Sequence, residues 1–222
     1  MMAEQIGLTL PVQSSDGIDE FYVSKCNKIA VSLLEDWENW PDLKHTLSGP
    51  PASGKTHLGQ IWAEQVNASY IDATTLEISN VDKIANSALV IDNVSKINSR
   101  KDLEEALFHL HNLLLERKLP FLLIGTGFPQ FWKISLSDLM SRIEGTRNAQ
   151  IYELDDKLLP LIMAKLFADR QMYPSPDVFE YLNKRIDRSF CSVNSIVADI
   201  DRISIEEKRP ITRSLVAKIF KN

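Results

Sequence analysis

Residues 49 to 56 combine glycines, a lysine and a threonine at a fixed spacing. The segment matches the pattern GxxxxGK[ST] and reads Gly49-Pro50-Pro51-Ala52-Ser53-Gly54-Lys55-Thr56. Such glycines let backbone N–H groups turn toward phosphate oxygens, and a helix that follows adds the positive end of its dipole. We expect Lys55 to reach the β- and γ-phosphates, Thr56 to ligate Mg²⁺, and His57 to lie beside them. A chance glycine-rich turn is the alternative, and a strand predicted before it and a helix after it disfavour that alternative.

An acidic residue follows a short apolar run further along the chain. Leu89-Val90-Ile91-Asp92 predicts a buried strand that ends in a metal-binding acid, 37 residues after Lys55. Many phosphate-loop ATPases place a second acid next, to polarise the attacking water, but here that position is Asn93. An amide orients water without supplying negative charge. The pair therefore predicts nucleotide binding more strongly than hydrolysis.

Strand and helix patterns alternate as far as residue 154 and only helical patterns follow. The alternation predicts an α/β fold, a P-loop NTPase core with a parallel five-stranded sheet followed by a small α-helical lid. We predict a tail at 1–20, a nucleotide-binding α/β unit at 21–154 and a helical lid at 155–222. Strands are expected at 45–48, 70–72, 88–91, 121–124 and 150–154, and helices at 24–37, 56–67, 101–118, 137–143, 156–171, 177–186, 193–207 and 212–220. The first helix is expected to be amphipathic, with Ile29, Leu33 and Trp37 on one face.

Charge and composition limit the classes of function. A formal net charge of −5 argues against a general nucleic-acid binder and direct sequence-specific DNA binding. The amino terminus lacks the pattern of a signal peptide and no apolar run is long enough to span a bilayer, so we expect a cytoplasmic protein with no membrane association. Cys26 and Cys191 are expected to be small buried hydrophobes, and His57, His109 and His111 to lie on helix surfaces without binding metal.

Several segments together resemble the DnaA branch of AAA+ proteins. They are Phe21-Tyr22-Val23, GPPASGKTHL, LVIDN, DLMSRIEG and the four lid helices. Within that branch the chain is most similar to the Hda regulators of replication initiation. The Asp92-Asn93 pair resembles the Hda form of this motif, and the sequence ends at Asn222 directly after the lid, so we expect no helix-turn-helix DNA-binding domain.

The resemblance implies roles for further residues. Tyr22 and Val23 would line an adenine pocket, Thr126 would approximate sensor 1, and Arg142 would act as an arginine finger in trans. The alternatives are core packing for Tyr22 and Val23, a loop hydroxyl for Thr126, and a surface arginine for Arg142. The family's sensor 2 arginine aligns with Cys191, which offers no charge to a phosphate. Coupling between the nucleotide and the lid angle, and the preference for ADP or ATP, therefore stay open.

The amino-terminal tail contains a short motif of the form Q-x-x-L-x-L. Gln5, Leu8 and Leu10 occupy its fixed positions and are similar to the peptide by which Hda and DNA polymerases dock on the sliding clamp. Leu8 and Leu10 would enter an apolar pocket while the Gln5 amide bonds at its rim. A disordered segment or an edge strand is the alternative.

Three functions compete on these observations. The first is an Hda-like regulator that binds ADP or ATP with Mg²⁺, docks on the DNA polymerase III sliding clamp and stimulates ATP hydrolysis by DnaA. The second is a DnaC-like helicase loader that hydrolyses ATP itself, and the third is a small-molecule kinase. The resemblance also implies a homodimer.

Overall fold

The computed structural model describes residues 21–220. Its sheet has five parallel strands in the order β2-β3-β4-β1-β5, which confirms the predicted class of fold. All carboxyl ends therefore lie along one edge of the sheet, where the loops that follow the strands can form a site. The strands are β1 (Lys44–Gly49), β2 (Ser69–Asp72), β3 (Leu89–Asp92), β4 (Phe121–Thr126) and β5 (Asn148–Gln150).

Helices cover both faces of this sheet, and four more follow it in the chain. Apolar side chains between the sheet and its helices form two cores, and a third core joins the later helices to Tyr22 and Cys26. The first group is α1 (Lys28–Glu35), α2 (Lys55–Gln65), α3 (Val81–Ile84), α4 (Lys101–Glu116) and α5 (Ser137–Glu144). The second is α6 (Leu158–Asp169), α7 (Pro176–Asn183), α8 (Phe190–Glu207) and α9 (Arg213–Ile219).

The amphipathic face predicted for the first helix is wrong at Ile29, although Leu33 and Trp37 pack against the core. The spacing of Ile29, Leu33 and Trp37 predicted a buried stripe, but Ile29 is 65% exposed. Helix α1 instead buries Ala30 and Leu34, the stripe one residue further along the chain. Neighbouring stripes differ by about 100° around the helix axis, and the small Ala30 side chain lets the helix approach the sheet closely.

The last strand was predicted at 150–154 from its apolar residues, but it begins and ends earlier, at Asn148–Gln150. Ala149 pairs with Leu47 in the middle of β5. The Ile151 N–H still donates to the Ser48 carbonyl, but the Tyr152 N–H turns to the Cys26 carbonyl. Apolar residues continue past the strand because Ile151 packs into the core on the sheet and Leu154 into the core of the later helices.

Two predictions about burial, for His111 and Cys191, are also wrong. His111 is fully buried, with its ring edge-to-face on Phe121 at 5.2 Å between centroids, because α4 buries a wider face than its leucines indicate. Cys26 is buried as expected, but Cys191 is exposed at the start of α8. Within residues 21–220, none of the helices has the length and apolarity needed to cross a bilayer.

Candidate functional site

The phosphate loop leaves the sheet at Gly49 and enters α2 at Lys55. A Cβ atom at Gly49 would lie 2.5 Å from the Ile151 carbonyl oxygen, so only glycine fits between β1 and the chain after β5. Gly54 has a φ of +89° at the start of α2, a left-handed conformation that glycine adopts without strain. These two positions let the backbone wrap around the amino end of a helix, which is a favourable place for an anion.

Lys55 is a buried cation inside this loop. Its Nζ donates to the Pro50 carbonyl at 2.5 Å and to Ser53 Oγ at 3.3 Å, and 7% of the residue is exposed. Burial lowers the pKa of the Lys55 ammonium, while the Asp92 carboxylate opposes that shift. An ammonium held by neutral oxygens in a glycine-lined loop fits a phosphate group, because the anion would supply the missing counter-charge.

Asp92 is the carboxylate in the centre of the site. Its Oδ2 accepts from Thr56 Oγ1 at 2.8 Å and from Tyr70 OH at 2.6 Å, and its Oδ1 accepts from the Asn93 N–H at 2.6 Å. Burial and the Asp92 hydrogen bond raise the pKa of Tyr70, so the phenol remains a donor. Residues 21–220 contain no cluster of three or more metal-ligating side chains. One carboxylate and one hydroxyl fit Mg²⁺, which keeps several waters and takes further ligands from substrate phosphates.

Asn93 faces a second acid that the motif analysis did not include. Its Nδ2 donates to Asp72 Oδ2 at 2.7 Å, and Asp72 is the register partner of Asp92 in the neighbouring strand. Partial burial would raise the pKa of Asp72, but hydrogen bonds from Thr74 and Asn93 outweigh it, and the pKa is lowered. Asp72 ends β2, and its position at a strand terminus was the only signal for it in the sequence, whereas Tyr70 lies within the strand and had no such signal.

An apolar cavity of about 290 Å³ opens beside the phosphate loop, between the sheet unit and the later helices. Its volume is near the lower limit of small-ligand sites, at roughly 300 Å³. Tyr22 and His57, both assigned to the nucleotide site from sequence, line it. The full lining is Phe21, Tyr22, Cys26, Asn27, Ser53, Gly54, His57, Leu154, Leu158, Ile162, Lys165, Leu166, Asp169 and Phe190.

Val23 does not line this cavity, although the resemblance assigned it to the adenine pocket. Phe21 lines the cavity instead. Val23 is 38% exposed, whereas the Phe21 ring packs against His57 at 5.6 Å between centroids. Asn27 fixes this stretch because its side chain donates to the Tyr22 carbonyl at 2.8 Å and accepts from the Ser24 N–H at 2.8 Å.

Solved structures share this architecture, although no protein-family model matches the sequence. Domain III of the replication initiation protein DnaA from Thermotoga maritima superposes with a TM-score of 0.75 at 17% identity, over 90% of this chain and 93% of that one. AMPPCP-bound DnaA from Aquifex aeolicus gives 0.69 at 20% identity, over 84% of this chain and 65% of that one. The RuvB Holliday junction branch migration motor of T. maritima gives 0.65 at 22% identity, over 86% and 65%.

The chain has the AAA+ fold. It spans about two thirds of the length of the DnaA and RuvB chains that it matches, and nearly all of the isolated DnaA domain.

Thr126 ends β4 next to the phosphate loop of this AAA+ fold. It is the register partner of Gly49, its N–H donates to Ser95 Oγ at 2.9 Å, and the residue is exposed. The following Gly127 N–H donates to the Gly49 carbonyl at 3.0 Å. The hydroxyl that was assigned to sensor 1 therefore stands at the same edge of the sheet as Lys55 and Asp92.

Arg142 lies at the other end of the AAA+ sheet. Its guanidinium stacks 5.3 Å from the centre of the Phe108 ring on α4. Burial lowers the pKa of both Lys44 and His111, and the Arg142 charge lowers each further. Lys44 begins β1 and Gly49 ends it, and these two residues are about 16 Å apart at the usual rise of a strand. Arg142 is thus at the amino edge of the sheet, far from its own phosphate loop.

The start of α8 contacts the phosphate loop through its backbone. The Phe190 N–H donates to the Ala52 carbonyl at 3.2 Å. Arg188, the arginine nearest to Cys191 before this helix, forms an ion pair with Asp156 at 2.6 Å. Helix α8 therefore approaches the loop at Phe190, and the guanidinium before it pairs with an acid of the preceding segment.

The candidate clamp-binding residues Gln5, Leu8 and Leu10 lie outside the described residues.

Proposed function

We propose that this protein is an Hda-like negative regulator of replication initiation. It binds ADP or ATP with Mg²⁺ at Gly49–Thr56 and Asp92, and it presents Arg142 to the ATP that DnaA holds. Hydrolysis of that ATP leaves the initiator in its ADP-bound form. The proposal rests on the AAA+ fold together with the family motifs in the sequence.

One observation carries the proposal, namely the separation of Arg142 from the phosphate loop. The guanidinium lies beside Phe108 and Lys44 at the amino edge of the sheet, whereas Lys55 and Asp92 lie at the carboxyl edge. A side chain in that position cannot reach nucleotide in its own site but is free to meet nucleotide on another molecule. A guanidinium supplied in trans contributes on the order of 10³–10⁵ in rate to phosphoryl transfer.

The chain's own site supports retention of nucleotide. Lys55, Thr56 and Asp92 are the groups that hold phosphate and Mg²⁺ in P-loop NTPases, and bound Mg²⁺ neutralises phosphate charge. Asn93 carries no negative charge with which to polarise water. We therefore propose that bound nucleotide shapes the body of the protein, and that intrinsic turnover is weak.

The test of the trans role is an ATPase assay with purified partners. The protein is mixed with ATP-loaded DnaA and DNA-loaded sliding clamp, and hydrolysis of the DnaA-bound ATP is followed. We expect at least tenfold stimulation by the natural sequence and at least 90% loss with Arg142→Ala. Arg147→Ala is the matched control, because Arg147 is exposed and precedes β5 at the same edge of the sheet. No stimulation, or full stimulation with Arg142→Ala, contradicts the proposal.

Docking on the clamp is proposed from Gln5, Leu8 and Leu10 alone. Replacing all three with alanine should abolish capture of the protein by immobilised clamp, because the motif would lose both apolar anchors and its amide. Retained capture would remove this anchor from the proposal. Steady-state ATP turnover by the isolated protein well above that of Lys55→Ala would favour the DnaC-like alternative instead.

A further inference from the structure

Lys44 is a largely buried cation at the amino edge of the sheet. Its side chain is 11% exposed, and its Nζ lies 3.9 Å from Asp42 Oδ2. The Asp42 side chain is 71% exposed, so solvent weakens the attraction between the two groups. Lys44 is therefore a cation that burial disfavours and that this acid neutralises only in part.

The register of the sheet places Lys44 on the same face as Arg142. Lys44 pairs with Phe121 of β4, and register partners in neighbouring parallel strands point to the same face of a sheet. Phe121 contacts the His111 ring and belongs to the core beneath α4. Phe108, one turn before His111 on that helix, stacks on the Arg142 guanidinium. Both cations therefore lie on the face that α4 and α5 cover.

The charges of the described residues that meet here do not balance. Burial lowers the pKa of Lys44, the Asp42 carboxylate opposes this shift, and the Arg142 charge adds to it. His111 stays neutral at pH 7, because its pKa is lowered to about 4. Two cations beside one exposed acid and a neutral imidazole leave a positive charge, which an anion on another molecule can neutralise.

We propose that Lys44 is a second cation of the trans site, and that it contacts the terminal phosphates of the nucleotide that Arg142 reaches on another molecule. The inference rests on the proposed function and deepens it, because it assigns a second residue to the contact with that nucleotide. Arg142 offers a planar fork that fits two phosphate oxygens, whereas the Lys44 ammonium acts as a point charge. The γ-phosphate gives ATP more negative charge than ADP, so two cations favour the triphosphate.

The turn before β1 fixes the place from which Lys44 extends. Asp42 and Leu43 have φ values of 52° and 53°, a left-handed conformation that is unfavourable for leucine. Such a backbone persists where its surroundings over-determine it. Here Trp40 is buried, its indole N–H donates to the Leu33 carbonyl at 2.7 Å, and its own carbonyl accepts from the Leu43 N–H at 3.1 Å.

Four variants separate a contact with phosphate from a structural role. Lys44→Met removes the charge and retains an apolar stem that can pack in the same place. Lys44→Arg retains the charge, and Asp42→Asn removes the acid that competes for it. Lys118→Met is the matched control, because Lys118 is an exposed lysine that precedes β4 at the same edge of the sheet.

The measurement is the affinity of each protein for DnaA that is loaded with AMPPCP or with ADP, in the presence of DNA-loaded sliding clamp. We expect Lys44→Met to weaken binding to the AMPPCP form at least tenfold, and to the ADP form less than twofold. Lys44→Arg and Lys118→Met should bind both forms within threefold of the natural sequence. Asp42→Asn should bind the AMPPCP form at least twofold more tightly.

A measurement of stability accompanies these affinities. The free energy of unfolding of Lys44→Met in urea should be no lower than that of the natural sequence, because the substitution removes a cation that burial disfavours. A large loss of stability would show that the ammonium supports the fold instead, and would overturn the inference.

The remaining outcomes distinguish this inference from the proposed function. Equal loss of affinity for both nucleotide forms in Lys44→Met would place Lys44 against the protein surface of the partner and overturn the contact with phosphate. Unchanged affinity of Lys44→Met, with a loss in Arg142→Ala, overturns the role of Lys44 while that of Arg142 stands. Failure of the natural sequence to bind either form overturns the proposed function, and this inference with it.

Discussion

At the scale of single residues, burial decides the charge that several ionisable groups carry. Lys55 is buried but lies near the Asp92 carboxylate, which opposes the lowering of its pKa. Tyr70 is kept protonated by burial and by donation to Asp92. At His111, burial and the Lys44 and Arg142 charges outweigh the opposing effect of the Asn112 side chain and lower the pKa to about 4.

His111 should therefore make the protein less stable in acid. The unfolded imidazole takes up a proton near pH 6.5, whereas the folded one resists until about pH 4. Stability associated with His111 is present above pH 6.5 and is lost as the pH falls through that window, because the unfolded state then binds more protons. Between pH 7 and pH 5 the free energy of unfolding should fall by about 2 kcal/mol through His111.

Urea unfolding at the two pH values checks this expectation. His111→Leu should remove most of the difference attributed to the imidazole, while His109→Leu should leave it unchanged, because His109 is exposed on the same helix. An equal dependence on pH for the natural sequence and His111→Leu would show that other groups cause the acid sensitivity.

At the scale of elements, helix α4 holds helix α5 at both ends. The buried carboxylate of Glu104 accepts hydrogen bonds from the backbone N–H groups of Ser99, Ser135 and Leu136, and it is 1% exposed. Four residues further along, on the same face of α4, Phe108 contacts the Arg142 guanidinium. Helix α4 thus orients both the loop before α5 and Arg142 within α5.

Glu104→Gln should destabilise the fold by roughly 1–3 kcal/mol, because the amide NH₂ would replace one acceptor oxygen and face a backbone N–H that then has no acceptor. The free energy of unfolding in urea measures this effect. Glu105→Gln is the matched control, as Glu105 is the exposed neighbour on α4 and should change stability by less than about 0.5 kcal/mol. Equal stability of Glu104→Gln and Glu105→Gln would contradict the role assigned to the buried carboxylate.

At the scale of the whole molecule, the parallel sheet separates two functions in space. Every strand points toward the edge that carries Lys55, Asp92 and Thr126, and Arg142 lies at the opposite edge. The later helices cover the cavity beside the phosphate loop and contact the loop through Phe190. A bound nucleotide would therefore contact both the sheet unit and the later helices.

Nucleotide affinity should distinguish the two edges. Lys55→Ala should weaken binding of ADP by at least 100-fold in calorimetry, because it removes the buried cation that faces the phosphates. Arg142→Ala should bind ADP within twofold of the natural sequence, because the guanidinium is too far away to contribute. A large loss of affinity with Arg142→Ala would show that the two edges are not independent.

Local patterns predicted much of the fold and part of the candidate site. The sequences around Lys55 and Asp92 indicated a loop after one strand and an acid after another, and these residues meet through the Thr56–Asp92 hydrogen bond. The predictions that failed depend on packing. The buried face of α1 and the burial of His111 are decided by the surfaces that these helices cover, which periodicity within one helix does not specify.

The sequence by itself determined the order of strands and helices and the residue types that could bind phosphate and metal, because these follow from contacts between residues close along the chain. Only the tertiary structure decided which distant side chains form hydrogen bonds with those residues and so position them. Tyr70 reaches Asp92 across 22 positions, Asn93 reaches Asp72 across 21, and Glu104 reaches Ser135 across 31. Such partners are selected by the pairing of strands and the packing of helices, since these bring distant segments within hydrogen-bonding distance.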